Sequence, residues 1–77
     1  MYIHIGQDTV IIDKEIIGIF DMDTATMSLK TQTYLKSAEK QGKTETLFDD
    51  VPKSFIVTDD GKVYFSQISV TSLMGRI

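Results

Sequence analysis

No cysteine occurs among the 77 residues of this chain, so its core has to be stabilised without disulfide bonds. A domain this short buries only about 60% of the surface that its unfolded chain exposes. Natural domains of this size usually add disulfides, a structural metal or a partner chain. The single histidine, His4, supplies too few ligands for a structural zinc site. Self-association is the device that remains, so we expect a homo-oligomer.

The composition is that of a folded protein that is not embedded in a membrane. Apolar residues make up 42% of the chain, which argues against wholesale disorder. The N-terminus lacks a basic segment followed by a long apolar stretch, and no window approaches the roughly 18 apolar residues of a membrane span. We therefore expect one domain covering residues 1–77, soluble and located in the cytoplasm.

Three short strands are predicted in the first 20 residues. Residues 2–5 alternate with the period of two that is typical of a half-buried strand, and Thr9–Ile12 follows after a turn. Residues 16–20 are almost continuously apolar, which predicts burial on both faces, either at the centre of a sheet or against another subunit. Gly18 within this run predicts a bulge or a close packing contact. The functional alternative is a point where a ligand or another backbone approaches.

One long helix is predicted for the middle of the chain, from residue 27 to residue 41. Gly42 stands where a left-handed C-cap belongs. Thr24, Thr26 and Ser28 are the candidate N-caps. The residues that share one face of this helix at three-to-four spacing are Met27, Thr31, Tyr34, Leu35 and Ala38.

A hairpin is predicted after a polar connector over residues 43–50. The dipeptide Asp60-Gly61 separates two strand-like segments, residues 54–58 and 63–66. It is typical of a type I′ turn, in which both central residues have positive φ.

A short helix is predicted at the end of the chain, over residues 69–77. The predicted fold class is α+β with a small, mostly antiparallel sheet. The predicted order of elements is strand, strand, strand, helix, strand, strand, short helix.

Catalytic chemistry is not evident in the sequence. Nucleophilic catalysis needs a nucleophile, a base and an orienting group in contact, and we interpret His4 as structural. Asp21 and Asp23 are explained as residues at a helix start, where they complement the helix dipole. The five glycines are too dispersed for a phosphate-binding loop. We therefore expect no enzyme activity, no metal site, no cofactor and no small-molecule substrate.

Lysines form the clearest charged pattern, although the net charge of the chain is −3. Lys36, Lys40 and Lys43 recur at helical spacing near the predicted C-terminus of the helix. The ordinary interpretation is a solvated face that complements the helix dipole. The functional interpretation is contact with the phosphates of nucleic acid. One such ridge would bind weakly, whereas its repetition around a symmetric oligomer would form a continuous track.

Five segments, in the same order along nearly the whole chain, carry a family resemblance. They are residues 2–6, 16–21, 52–58, 63–66 and 71–73. Together they resemble the RemA/RemB family of bacterial extracellular-matrix regulators, and its RemB branch in particular. The resemblance implies a regulator of extracellular-matrix and biofilm genes. RemA-type members are understood to bind promoter DNA as ring-shaped homo-oligomers, which implies transcription regulation by such a ring.

The resemblance also indicates where basic residues would be expected. RemA-type relatives carry one just before the third strand and a cluster before the fourth, where this chain has Glu15 and Asp50. Two hypotheses therefore stay open: an oligomeric DNA-binding regulator, and an oligomeric structural or protein-interaction module that does not itself bind DNA. The predicted nucleic-acid-binding residues are Lys14, Lys36, Lys40, Lys43 and Lys53, and the predicted oligomer interface is Ile17, Ile19 and Phe20.

Overall fold

The computed structural model describes residues 1–6, 8–25, 28–47 and 51–76. Within these ranges it has six strands, three α-helices and one 3₁₀ turn, which confirms the predicted α+β class. The elements are β1 (Tyr2–Gly6), β2 (Thr9–Ile12), a 3₁₀ turn (Asp13–Glu15), β3 (Ile16–Asp21), α1 (Met22–Ala25), α2 (Leu29–Lys40), β4 (Thr44–Thr46), β5 (Ser54–Thr58), β6 (Val63–Ser66) and α3 (Val70–Met74).

A four-stranded sheet in the order β3-β5-β6-β4 lies between two layers. Its β3, β5 and β6 neighbours are antiparallel, and β4 runs parallel to β6. The β1–β2 hairpin and α3 pack on one face of this sheet, and α2 packs on the other. The buried side chains of the first interface are Ile3, Ile5, Ile11, Leu47, Ile56 and Leu73. Those of the second are Ala38, Phe55, Val57 and Val63.

β3 is an edge strand, and this corrects one of the two alternatives predicted for it. The strand pairs with β5 on one side and has no strand neighbour on the other within the described residues. Ile17 and Phe20 keep 68% and 42% of their surface exposed. Central burial was therefore wrong for this strand. It is β5 that is buried on both faces, because alternate residues face the hairpin and α2.

Gly18 confirms the prediction of a bulge and a close packing contact. The β3–β5 register slips between Ile16 and Gly18, so that Ile17 is the extra residue. The ring of Phe20 lies directly over the glycine, and a Cβ atom built there would stand 2.6 Å from the ring Cζ. The Phe20 ring therefore occupies the space in which a side chain at position 18 would lie.

α2 begins at Leu29, two residues later than predicted, and residue 27 lies outside the described ranges. Ser28 is its N-cap residue, while Thr26 also lies outside those ranges. The C-terminus confirms the predicted glycine cap, since Gly42 has φ +70°. Gly42 N donates to Glu39 O at 3.0 Å and Lys43 N donates to Ala38 O at 3.0 Å, the two bonds of a Schellman motif.

β4 is absent from the predicted order, because residues 43–50 were interpreted as a connector. Thr44–Thr46 has little apolar character, and its pairing with β6 comes from long-range contacts. The buried Leu47 side chain follows β4 and packs in the core between the sheet and the β1–β2 hairpin, which we call the hairpin-side core. Residues 48–50 lie outside the described ranges.

The β5–β6 hairpin is confirmed, but its turn differs from the predicted type I′ form. Gly61 N donates to Thr58 O at 3.0 Å, which makes Asp59 and Asp60 the central residues. Gly61 follows them with φ +85°. Thr58 N donates to Lys62 O at 3.0 Å, so the loop has three residues instead of two.

Candidate functional site

Lys36 and Lys40 form an exposed ridge on α2. They are one helical turn apart and lie opposite Ala38, the buried residue of this helix. Both point away from the sheet as a result. Their position near the helix C-terminus complements the negative end of the helix dipole, which the ordinary interpretation also requires.

Lys43 follows the glycine cap and crosses the β5–β6 turn. Its Nζ lies 3.1 Å from the place where a Cβ at Gly61 would stand. Its backbone carbonyl accepts from Val63 N at 2.9 Å, which ties the end of α2 to the start of β6. The ridge thus continues to the turn, where Lys62 adds a further lysine.

Lys14 reaches the same end of the molecule by another route. It is exposed in the 3₁₀ turn, and the carbonyl of its neighbour Glu15 accepts from Asp59 N at 2.8 Å. That bond holds the 3₁₀ turn against the β5–β6 turn. The same end carries Asp59 and Asp60, so its charge is mixed.

Lys53 stands apart from the other predicted lysines. It immediately precedes the start of β5, whereas Lys43 lies at the turn that follows the end of this strand. The two ends of β5 are roughly 13 Å apart at about 3.3 Å per residue. It lines a cleft that also contains Asp21 and Asp23. The Asp21 side chain caps α1, because its Oδ1 accepts from Thr24 N at 3.1 Å. The structure therefore does not bring Lys53 together with Lys36, Lys40 and Lys43.

An apolar groove of about 380 Å³ runs between β3 and α2. Two of the three residues predicted for an oligomer interface, Ile17 and Phe20, line it. Ile19 faces the opposite side of the sheet and packs against the hairpin-side core, so an interface at the groove would not include it. The remaining lining residues are Lys30, Thr31, Tyr34, Phe55 and Val57.

The floor of this groove is aromatic. The rings of Phe20 and Phe55 stack with centroids 5.0 Å apart and planes inclined by 21°. Tyr34 on α2, which the sequence analysis placed on the inward face of the helix, is instead half exposed. It lies one helical turn after Thr31, and both side chains line the groove.

A second exposed apolar surface, on the outer face of the β1–β2 hairpin, was missed by the sequence analysis. Tyr2 is 74% exposed and Val10 is 51% exposed. Tyr2 lies opposite Ile12 across the hairpin, and Val10 lies opposite His4, so the four side chains share the outer face. Arg76 Nη1 donates to His4 O at 2.7 Å, which fixes the C-terminal segment to this hairpin.

The family model described as RemA-like, extracellular matrix regulatory protein A-like, matches residues 2–77 of this chain. The chain belongs to the RemA-like family. It is 37% identical over 76 residues to extracellular matrix regulatory protein B of Bacillus subtilis strain 168. That alignment covers 99% of this chain and 89% of the relative. The resemblance to the RemA/RemB family is confirmed.

In the described part of this RemA-like chain, no group of three or more histidine, aspartate or glutamate side chains is arranged to hold a metal ion. None of the helices in those same ranges has the length and apolar character to cross a membrane. At the two positions where RemA-type relatives are expected to be basic, Glu15 is exposed and Asp50 lies outside the described residues. The lysine ridge, the groove and the hairpin face are therefore the candidate functional surfaces.

Proposed function

We propose that this RemA-like chain regulates extracellular-matrix and biofilm gene expression in the cytoplasm, as a homo-oligomer that contacts promoter DNA. Its 37% identity to a protein named extracellular matrix regulatory protein B, over 99% of the chain, supports the regulatory role. The observation that carries the DNA contact is the exposed ridge of Lys36 and Lys40, which Lys43 extends to the β5–β6 turn.

The charge of the ridge favours phosphate contact despite the negative net charge of the chain. α2 contains three lysines and one glutamate, so this helix is locally basic. Each phosphate that a lysine neutralises releases a counterion and strengthens binding at low salt. A ridge of two or three lysines is weak in one copy, and the copies of an oligomer add their ridges along the duplex.

The positions of the five predicted lysines rank their contributions. Lys36 and Lys40 project from the sheet on a helix whose single acid, Glu39, leaves it with a net positive charge, so they should contribute most. Lys14 and Lys43 lie at the end that also carries Asp59 and Asp60. Lys53 shares its cleft with aspartates and should contribute least.

The alternative function is an oligomeric interaction module that does not itself bind DNA. The specific observation in its favour is the exposed Glu15, which stands where a RemA-type relative is expected to carry a base. Its backbone bond to Asp59 adds a second acid at the same end of the molecule. A duplex approaching that end would meet repulsion as well as attraction.

A salt-titrated binding measurement separates the two functions. Fluorescence anisotropy with a labelled promoter duplex should give an affinity that falls steeply as salt rises. The variant Lys36→Gln with Lys40→Gln should bind more weakly and flatten the slope by roughly two for each copy that contacts the duplex, because each lost phosphate contact removes about 0.9 from it. A charge-matched control is Gln67→Glu with Thr71→Glu, which lowers the net charge equally at two exposed positions outside α2.

The control should retain most of the affinity and the wild-type slope. If both double variants lose affinity equally, overall charge governs binding and the ridge is not the contact. A folded, oligomeric wild type that does not bind the duplex at low salt would exclude the DNA-binding function and leave the interaction module.

A further inference from the structure

We infer that Gly61 positions the Lys43 side chain for contact with a DNA phosphate. The glycine has no side chain, and the Lys43 side chain lies across its backbone at the β5–β6 turn. This inference rests on the proposed DNA binding and adds to it a residue that carries no charge. Gly61 is a positioning residue, because it acts on the DNA contact only through the lysine.

The backbone of Lys43 is held on both sides. Lys43 N donates to Ala38 O at 3.0 Å in the cap of α2, and Lys43 O accepts from Val63 N at 2.9 Å at the start of β6. Rotation of this backbone would break one or both of these bonds. The direction in which the Lys43 side chain leaves the backbone is therefore fixed by the helix cap and by the sheet.

The far half of the Lys43 side chain lies over Gly61. A Cβ atom at Gly61 would stand 3.1 Å from Lys43 Nζ, 3.6 Å from its Cδ and 3.9 Å from its Cε. The first of these distances is tighter than an ordinary van der Waals contact, so a Cβ would push the ammonium group aside. A longer side chain at this position would compete with the lysine for the same space. Glycine thus leaves open the space in which the lysine lies.

The turn that carries Gly61 is tied down by three backbone hydrogen bonds. Gly61 N donates to Thr58 O at 3.0 Å, and Thr58 N donates to Lys62 O at 3.0 Å. Asp59 N donates to Glu15 O at 2.8 Å, which joins the turn to the 3₁₀ turn. The turn is therefore a fixed support for the lysine, and it cannot move aside without loss of these bonds.

The Lys43 ammonium group is available to a phosphate in this position. It forms no salt bridge with a carboxylate of the described residues, although Asp59 and Asp60 belong to the same turn. A lysine side chain that samples many rotamers loses this freedom when it binds. Because the Lys43 side chain already lies against Gly61, it loses less, and its phosphate contact is stronger as a result. This gain offsets part of the repulsion from the acidic residues of the turn.

Two properties of Gly61 can be separated by substitution. Its φ of +85° lies in the left-handed region, which asparagine also adopts, whereas the missing Cβ is particular to glycine. Gly61→Asn therefore keeps the turn and fills the space under the lysine. Gly42→Asn is the matched control, because Gly42 has φ +70° and a Cβ there would meet nothing within 4 Å.

Fluorescence anisotropy with the labelled promoter duplex compares the two variants. Gly61→Asn should weaken binding roughly threefold or more at low salt and flatten the salt slope by up to about 0.9 for each copy that contacts the duplex, because a phosphate contact is lost. Gly42→Asn should keep the affinity and the slope of the wild type. Circular dichroism and analytical ultracentrifugation check that both variants fold and assemble as the wild type does.

Removal of the lysine shows whether Gly61 acts through it. In a Lys43→Gln background, Gly61→Asn should cause no further loss of affinity, because the side chain that it displaces no longer carries a charge. A loss of the same size in both backgrounds would overturn the inference. Equal affinities for Gly61→Asn and Gly42→Asn would overturn it as well.

A measurement on the wild type keeps the inference testable if Gly61→Asn fails to fold or to assemble. Nuclear Overhauser effects between the Gly61 α-protons and the Lys43 ε-methylene protons should be present in the DNA-free protein. Their absence would show that the lysine does not lie over the glycine, and the inference would fail while the proposed DNA binding stood. A wild type that has these contacts but does not bind the duplex would instead refute the proposed DNA binding itself.

Discussion

β3 and β5 are neighbouring strands of similar apolar content with opposite burial. β5 is buried along its whole length, including its terminal Ser54 and Thr58. β3 has the longer apolar run, yet Ile17 and Phe20 remain exposed at the sheet edge. A natural edge strand usually carries charges or proline that prevent association with other chains. Positions 16–20 carry neither charge nor proline, and the edge is instead interrupted by the bulge at Ile17.

The buried hydroxyls of β5 explain why its less apolar sequence still occupies the centre. Ser54 Oγ donates to Ile68 O at 2.7 Å, so the buried serine is satisfied. Its cross-strand neighbour Ser66 donates to Ile5 O at 2.6 Å and accepts from Ile68 N at 3.0 Å. These bonds tie the sheet to β1 and to the segment before α3. Small hydroxyl residues are thus part of the core because each has a defined partner.

The largest expected effect is a difference in stability between two isoleucine truncations. Ile56→Ala removes a fully buried β5 side chain and should lower the free energy of unfolding by about 2–5 kcal/mol. Ile17→Ala on β3 should cost about 0.5 kcal/mol or less in the monomer, because its side chain is already exposed. Urea denaturation monitored by circular dichroism measures both.

Protein concentration separates folding from assembly in that comparison. A homo-oligomer gains apparent stability with concentration, so the deficit of Ile17→Ala should grow in concentrated samples and shrink on dilution. The deficit of Ile56→Ala should persist on dilution. Equal losses for the two variants in dilute protein would mean that β3 is buried within one copy, contrary to its position at the edge.

A smaller effect is expected from Gly18→Ala, which tests how β3 is held at the edge. The new Cβ would collide with the Phe20 ring, so that ring would have to leave its stacked position on Phe55. The ring is partly exposed and able to move, and we expect a loss of about 1 kcal/mol in the free energy of unfolding.

A double-mutant cycle assigns that cost to the ring. In a Phe20→Ala background, Gly18→Ala should cost clearly less than it does alone, because no ring remains to be displaced. Gly75→Ala is a matched control, since its Cβ would meet ordinary van der Waals contacts. A cost for Gly18→Ala that is the same in both backgrounds would show that the bulge itself, and not the Phe20 ring, requires glycine.

The predicted fold was mostly correct because its main elements depend on local patterns. The strands β1 and β2 follow from alternation and turn chemistry, and the end of α2 follows from Gly42. β4 could not be predicted, since its three polar residues become a strand only through pairing with β6. The type of the β5–β6 turn was also missed, because an Asp-Asp-Gly sequence fits both loop lengths.

The candidate site was predictable only in part for a different reason. The lysines of one helix have a spacing that the sequence displays, so the ridge of Lys36 and Lys40 was found. The separation of Lys53 from that ridge depends on the direction of β5, which no local pattern gives. The groove and the hairpin face depend on which strand lies at the edge and which side of the hairpin faces out. Their apolar residues cannot be told from core residues before the layers are known.

The smallest expected effect concerns Asp60, which helps to satisfy the buried end of β5. The carboxylate accepts from the Thr58 hydroxyl and from Lys62 N at 3.2 Å. Both bonds hold the pKa of Asp60 below its usual value of 3.8, and the bond from Thr58 has the larger effect. A carboxyl whose pKa is lower in the folded state stabilises the protein above its unfolded pKa, and this contribution is lost as pH falls through the folded pKa.

Replacing this carboxylate by an amide tests the effect, which should be small because the group is exposed to solvent. Asp60→Asn should unfold at slightly lower urea than the wild type at pH 6. The difference should shrink below about pH 4 and vanish once the wild-type carboxyl is protonated. Asp59→Asn, at the neighbouring exposed position, serves as the control. A difference between wild type and Asp60→Asn that stayed constant from pH 6 to strongly acidic conditions would show that Thr58 does not depend on the charged carboxylate.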